Sequence, residues 1–312
     1  METSNRQITF TPELFEPVER SAEEVEKITG PPTSFWSDAW RRLKRNRIAV
    51  VAGGLILLVL ALAVAGPWLT SYTPFEQVLE RQYKTPSLSG FWFGTDQFGR
   101  GMFDRVWVGT RVSLYIAALV TIMDIGVGMS YGAISGYYGG KVDNIMQRIV
   151  EILVGIPILV VAVLIMLILE PGILSLTIAI GATGWTTSAR LIRGQVLRLK
   201  EQEFFLASRS LGAGTFRLIS KHLLPNVFYI VIITLMYTVP TAVFFEAFLS
   251  FIGLGIQPPN ASLGALINDG AKQMQQFPHL LIYPAAVLVL ITISFRLLGD
   301  GLRDALDPRM RK

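Results

Sequence analysis

Six stretches with little or no charge divide the chain: residues 48–69, 108–131, 152–169, 173–189, 227–251 and 280–295. Each is built mainly from Ile, Val, Leu, Ala, Phe and Gly. A helix needs about 20 apolar residues to cross ~30 Å of hydrocarbon. Lipid offers the backbone no hydrogen-bond partner, so a stretch that crosses it must bond within itself. The pattern therefore predicts an all-α membrane protein with six transmembrane helices. The first stretch does not read as a cleaved signal peptide, because it is too long and a long polar segment precedes it. Glu170-Pro171-Gly172 predicts a tight turn between the third and fourth stretches.

The polar intervals carry their own patterns. Residues 1–33 are rich in Glu and Pro and show no helical apolar stripe, which predicts a flexible tail. Trp36, Trp40 and Leu43 then recur at i, i+4 and i+7 with Arg and Lys between them. That spacing predicts a short interfacial helix with its tryptophans at headgroup level; the alternative is a plain continuation of the first span. Residues 70–105 form a long segment with Pro74, Pro86 and Phe91-Trp92-Phe93-Gly94, suited to capping a mouth, meeting a partner or acting as a spacer. Gly128, Gly132 and Gly136 recur every fourth residue and make a bare stripe on the second helix. Such stripes let helix backbones approach closely in lipid.

Charge supplies the orientation. Only 16% of residues are charged, and the mean hydropathy is +0.48, which excludes an ordinary soluble enzyme and intrinsic disorder. Of the 28 Lys and Arg residues, 22 fall on the side that holds both termini and 6 on the other. The positive-inside bias places both termini in the cytoplasm. Arg41, Arg42, Lys44, Arg45 and Arg47 abut the first span. Basic charge placed at span ends is a topology signal, so no nucleic-acid partner is expected; membrane lipid is.

Chemistry is sparse. There is no cysteine, and the two histidines, His222 and His279, are far apart, so no metal centre is expected. Gly139-Gly140-Lys141 is followed by Val142 and lacks the phosphate-loop spacing. No Gly-x-Ser-x-Gly or His-Glu-x-x-His is present, and no catalytic residue or cofactor is assigned. Asp124 and Glu246 lie inside apolar stretches. A charge there is costly and usually faces an interior cavity. Both are candidate pathway residues; the alternative is a bond to a neighbouring helix. A proton-coupled secondary transporter using these two acids is the reading from another class.

The connection after the fourth stretch says most. It predicts a helix around Glu203, Phe204 and Ala207, a break at Gly212, a second helix, and a stop at Pro225. Phe204, Phe205 and Leu211 give the first helix an apolar side, while Glu201, Glu203 and Arg209 give it charge. Such a helix held in water suits docking into a groove on a soluble partner; the alternative is a solvated hairpin.

Here the sequence resembles the inner-membrane permeases of ABC importers. Ala207, Gly212, Leu224 and Pro225 match their Glu-Ala-Ala loop signature, with Leu206 in place of the glutamate, Ser208 of the second alanine and His222 of the isoleucine. Phe93–Arg100, Gly139–Asp143, Leu249–Gly255 and Gly299–Pro308 resemble motifs of the peptide and nickel permease subfamily, and the long external loop and N-terminal extension resemble its C-type oligopeptide subunit. The resemblance implies a type I importer permease fold, with residues 1–47 a cytoplasmic segment with interfacial helix and 48–106 the first span and external loop. Residues 107–300 would be the permease core, with a coupling loop at about 196–225, and 301–312 a cytoplasmic tail. It implies a second homologous permease subunit, two ATP-binding subunits that hydrolyse ATP, an extracytoplasmic peptide-binding protein and a peptide substrate. Dipeptides, nickel or glutathione are the alternative cargoes. Selectivity is expected to start in the binding protein, since the chain shows no dedicated site for charged peptide termini.

Overall fold

The computed structural model describes residues 35–306 apart from Ser89. The expected tail at 1–33 and the segment 307–312 lie outside the described residues. The α-helices of eight or more residues are α1 (Phe35–Arg45), α2 (Arg47–Ala65), α3 (Met102–Tyr138), α4 (Gly140–Gly155), α5 (Ile158–Ile168), α6 (Ile173–Lys200), α7 (Glu203–Ser210), α8 (Leu224–Phe251), α9 (Leu263–Lys272) and α10 (His279–Leu306).

Helix α1 is separate from α2. Asp38 pairs with Arg41 and Arg42 at 2.9 Å, supporting the helix on its polar side. Asn46 then ends it and caps α2, its side chain accepting from the Ala49 amide at 3.2 Å. Ala39 is buried while Trp36 and Trp40 stay exposed.

Among the described residues, four helices are long and apolar enough to cross a membrane: α2, α3, the run that ends in α8, and α10. The third stretch is not one straight span. It divides into α4 and α5, bent by 82° across a short break. Pro157 forces the residue before it out of helical geometry, and Ile156 is accordingly extended at φ −90°, ψ 125°. Helix α6 has the length, but its Thr, Ser and Arg residues make it too polar to qualify alone.

The core forms where α3 crosses α6 and α8. Gly128, Gly132 and Gly136 face α6 directly. A Cβ on Gly128 would fall 2.7 Å from the Ser188 Cβ, and one on Gly136 2.9 Å from the Val196 Cβ. At Gly132 it would meet the Ala189 carbonyl and the Arg193 amide. Arg111, the charge near the start of the second stretch, donates to the Ala63 and Val64 carbonyls at 2.9 and 3.0 Å. It thereby satisfies groups that the C-terminal end of α2 leaves open.

The segment before α3 is a folded cap. Asp96 accepts from the Phe98 and Arg100 amides at 2.9 and 3.0 Å and pairs with the Arg100 guanidinium at 2.7 Å. Gly99 sits at φ +72° with the Val78 carbonyl against its α-carbon, so any side chain there would collide. Tyr83 stacks on Phe277 and Phe93 on Tyr283, both with centroids 4.1 Å apart, which fastens the cap to the start of α10.

Candidate functional site

Two places carry functional geometry, a cleft inside the helix bundle and a hairpin at its end. The cleft encloses about 1460 Å³ between the α4–α5 break, α6 and α8. Its wall includes Asp124, Thr183, Ser188, Arg190 and Arg198 together with Thr238. Asp124 is buried, and its Oδ2 accepts from Ser188 Oγ at 3.1 Å and Thr238 Oγ1 at 2.9 Å. It joins α3, α6 and α8 at one point.

Glu246 is not among the residues that line this cleft; it bonds neighbouring helices, the alternative given for it from the sequence. The side chain is fully enclosed and accepts from Ser113 Oγ at 2.6 Å and Ser250 Oγ at 2.8 Å. Ser113 Oγ in turn accepts from the Leu263 amide at 3.1 Å. Glu246 therefore anchors the start of α9 to α3 and α8. The two acids bond separate hydroxyl groups, and no side-chain hydrogen bond among the described residues joins them.

The hairpin begins where α6 ends. Lys200 Nζ donates to the Gly136 and Tyr137 carbonyls at 3.1 and 2.6 Å, tying α6 to the C-terminal end of α3. Beside it, Gly139 and Gly140 turn the chain at φ +66° and +55° into α4. Asp143 then receives a two-pronged bond from Arg193, at 2.6 Å from Nε and 2.5 Å from Nη2. The Gly139–Asp143 motif is thus a brace between α4 and α6.

Helix α7 starts with Glu203 in its first turn, where a carboxylate suits the open amides. It ends at Leu211-Gly212, with Gly212 at φ +82°. Phe205 turns inward and is 1% exposed; its cluster includes Val196, Leu218, Leu223 and Val227. The apolar side expected from Phe204 and Phe205 together is therefore split. Phe204 and Leu206 stay exposed, Leu211 is 89% exposed and Phe216 84%. Glu203, Ala207, Gly212 and Pro225 are exposed as well.

Pro225 does not stop the second helix. Helical structure runs unbroken from Thr215 to Phe251, and Pro225 sits in the first turn of α8. Leu218–Leu223 immediately before it is π-helical. The wider turn and the first-turn position accommodate a residue without an amide hydrogen. The Asn226 side chain donates to the His222 carbonyl at 2.7 Å.

A cleft with polar side chains on its wall lies inside an apolar bundle, beside an exposed hairpin. The family model described as "Binding-protein-dependent transport system inner membrane component" matches residues 128–312. The chain belongs to that family. A second model, "N-terminal TM domain of oligopeptide transport permease C", matches residues 34–86 of this permease. The permease is 43% identical to the dipeptide transport system permease protein DppC of Bacillus subtilis over 290 residues, 93% of this chain and 90% of that protein. It is 42% identical to the oligopeptide transport system permease protein OppC of the same organism, over 96% of this chain and 98% of that protein. The glutathione transport system permease protein GsiD of Pectobacterium atrosepticum is 34% identical, over 88% and 92%. The permease shares the fold of a chain of the inward-facing MetNI methionine ABC transporter. The TM-score is 0.50 at 20% identity, covering 65% of this chain and 94% of that one. It is an all-α, multi-pass inner-membrane permease with a type I ABC importer fold, and not itself an enzyme.

Proposed function

We propose that the chain is one permease subunit of an ATP-driven importer of short peptides, with six spans and both termini in the cytoplasm. A second homologous permease completes the pathway. Two separate ATP-binding subunits hydrolyse ATP, and an extracytoplasmic binding protein delivers the peptide. The cleft is this subunit's half of the pathway. Glu203, Phe204, Ala207 and Gly212 belong to the surface on which an ATP-binding subunit docks, and Pro225 to the root of that surface. Gly128, Gly132 and Gly136 keep α3 and α6 close enough to move together.

The observation that carries this reading is the hairpin. Phe204, Leu206, Leu211 and Phe216 are apolar and face outward on a short element between two long helices. Exposed apolar side chains gathered on one small element mark a contact surface. Peptide is the favoured cargo because the relatives at 42–43% identity are named for dipeptides and oligopeptides, while the glutathione permease stands at 34%.

Gly212→Pro and Glu203→Lys test the docking role in the complete transporter. Proline cannot reach a φ of +82°, and lysine reverses the charge of the first turn of α7. Each variant is expected to insert normally and lower peptide uptake at least ~10-fold, a coupling loss of about 1.4 kcal/mol, while ATP hydrolysis continues. Undiminished uptake in both overturns the docking role.

A further inference from the structure

Two buried polar atoms on the cleft wall have no hydrogen-bond partner. One is Asp124 Oδ1, the oxygen left over after Ser188 and Thr238 have bonded Oδ2. The other is Thr183 Oγ1, on α6 five residues before Ser188. Asp124 is 3% exposed and Thr183 8%. Buried polar atoms in native proteins nearly always have partners, so two unpartnered ones on one cavity call for an explanation. Both are oxygens able to accept, one on a carboxylate and one on a hydroxyl. The Thr183 hydroxyl can donate or accept, so a donor is the one partner that suits both oxygens, and a carboxylate out of water gains most from a cationic donor.

The charges along the cleft give the ligand a direction. Arg190 and Arg198 follow Ser188 on α6 toward the hairpin. Neither forms an ion pair among the described residues. Arg198 lies ten residues beyond Ser188, which is about 15 Å along a helix. An extended chain of about four or five residues covers that distance at ~3.3 Å each. The cleft thus has a carboxyl group with spare acceptor capacity at one level and cations toward its cytoplasmic end.

We infer that Asp124, with Thr183, is a subsite for the primary ammonium of a peptide's amino terminus, with the peptide's carboxylate directed toward Arg190 and Arg198. Ser188 and Thr238 act as positioning residues: they occupy Oδ2 and leave Oδ1 for the ligand. This supplies the site for charged termini that the linear sequence did not display, and it rests on the peptide-importer reading.

The test measures binding of tetra-alanine and N-acetyl-tetra-alanine to the complete transporter in nanodiscs, without the binding protein. The native transporter is expected to bind the free amine at least tenfold more tightly. Asp124→Asn is expected to remove that preference by weakening the free peptide alone, and Asp124→Glu to keep part of it. Equal affinity of the native transporter for both peptides, or full preference in Asp124→Asn, overturns the subsite. Carbodiimide labelling of Asp124 in the native chain, read by mass spectrometry, needs no variant. Tetra-alanine is expected to protect and the acetylated peptide not to; equal protection overturns the assignment. An N-acetylated peptide with one lysine that binds as tightly as tetra-alanine overturns the amino-terminus assignment. Whole-cell uptake separates the two claims. Tetra-alanine uptake that survives loss of this chain refutes the peptide reading itself, whereas uptake that depends on the chain without any amine preference refutes only the subsite.

Discussion

At the scale of single residues, the glycine stripe has little freedom. Gly132 packs against the backbone of α6, which cannot move aside as a flexible side chain would. Gly132→Leu is expected to force α3 and α6 apart at a cost of roughly 2 kcal/mol or more. A β-carbon on Gly126 would meet nothing within 4 Å, so Gly126→Ala serves as the control and should melt like the native chain. Thermal unfolding of the purified permease compares them, and equal melting temperatures would refute the packing account. Asp143 offers a second check. Asp143→Ala removes the acceptor of the two-pronged Arg193 bond and should destabilise the seat of α4 on α6 by about 1–3 kcal/mol.

At the scale of elements, two adjacent phenylalanines on α7 have opposite duties. Phe205→Ala opens a cavity among Val196, Leu218, Leu223 and Val227 and is expected to cost about 3–5 kcal/mol. Phe204→Ala should leave the melting temperature unchanged and lower ATP-coupled uptake. If both variants lose stability equally, the division of the two faces is wrong. This division was not legible in the sequence. Spacing places Phe204 and Phe205 about 100° apart on a helix, but which of them meets the core depends on helices far away along the chain. Other element-level features were readable. Gly212 marked the break, and Glu170-Pro171-Gly172 marked the turn, because glycine and proline act through local backbone geometry. Pro225 shows where that logic fails: the helix runs on through it after a π-helical turn, as it also runs on through Pro240 and Pro284. Pro157 shows the converse, breaking a run whose apolar composition read as continuous.

At the scale of the molecule, hydropathy outlined the bundle because lipid imposes one rule on every span. The cleft was not legible, since it depends on polar faces of α6 and α8 that are far apart in sequence. Asp124 was visible as an anomaly, whereas its bonds to Ser188 and Thr238 appear only when three helices meet. The lack of native cysteine makes the orientation measurable, because any thiol introduced is unique. Leu88→Cys, at a 96% exposed position of the cap, should react with an impermeant maleimide added outside intact cells. Leu211→Cys should react only after the membrane is opened. The reverse pattern would invert the topology.

The burial of Phe205 has a mechanical consequence. Its neighbours Val196 and Val227 lie on the two helices that wall the cleft. A ring buried in that cluster has little slack, since close-packed side chains cannot be compressed to absorb a push. On the proposed docking role, a push on α7 passes through this cluster toward the cleft walls, and its packing sets how much of the motion is transmitted.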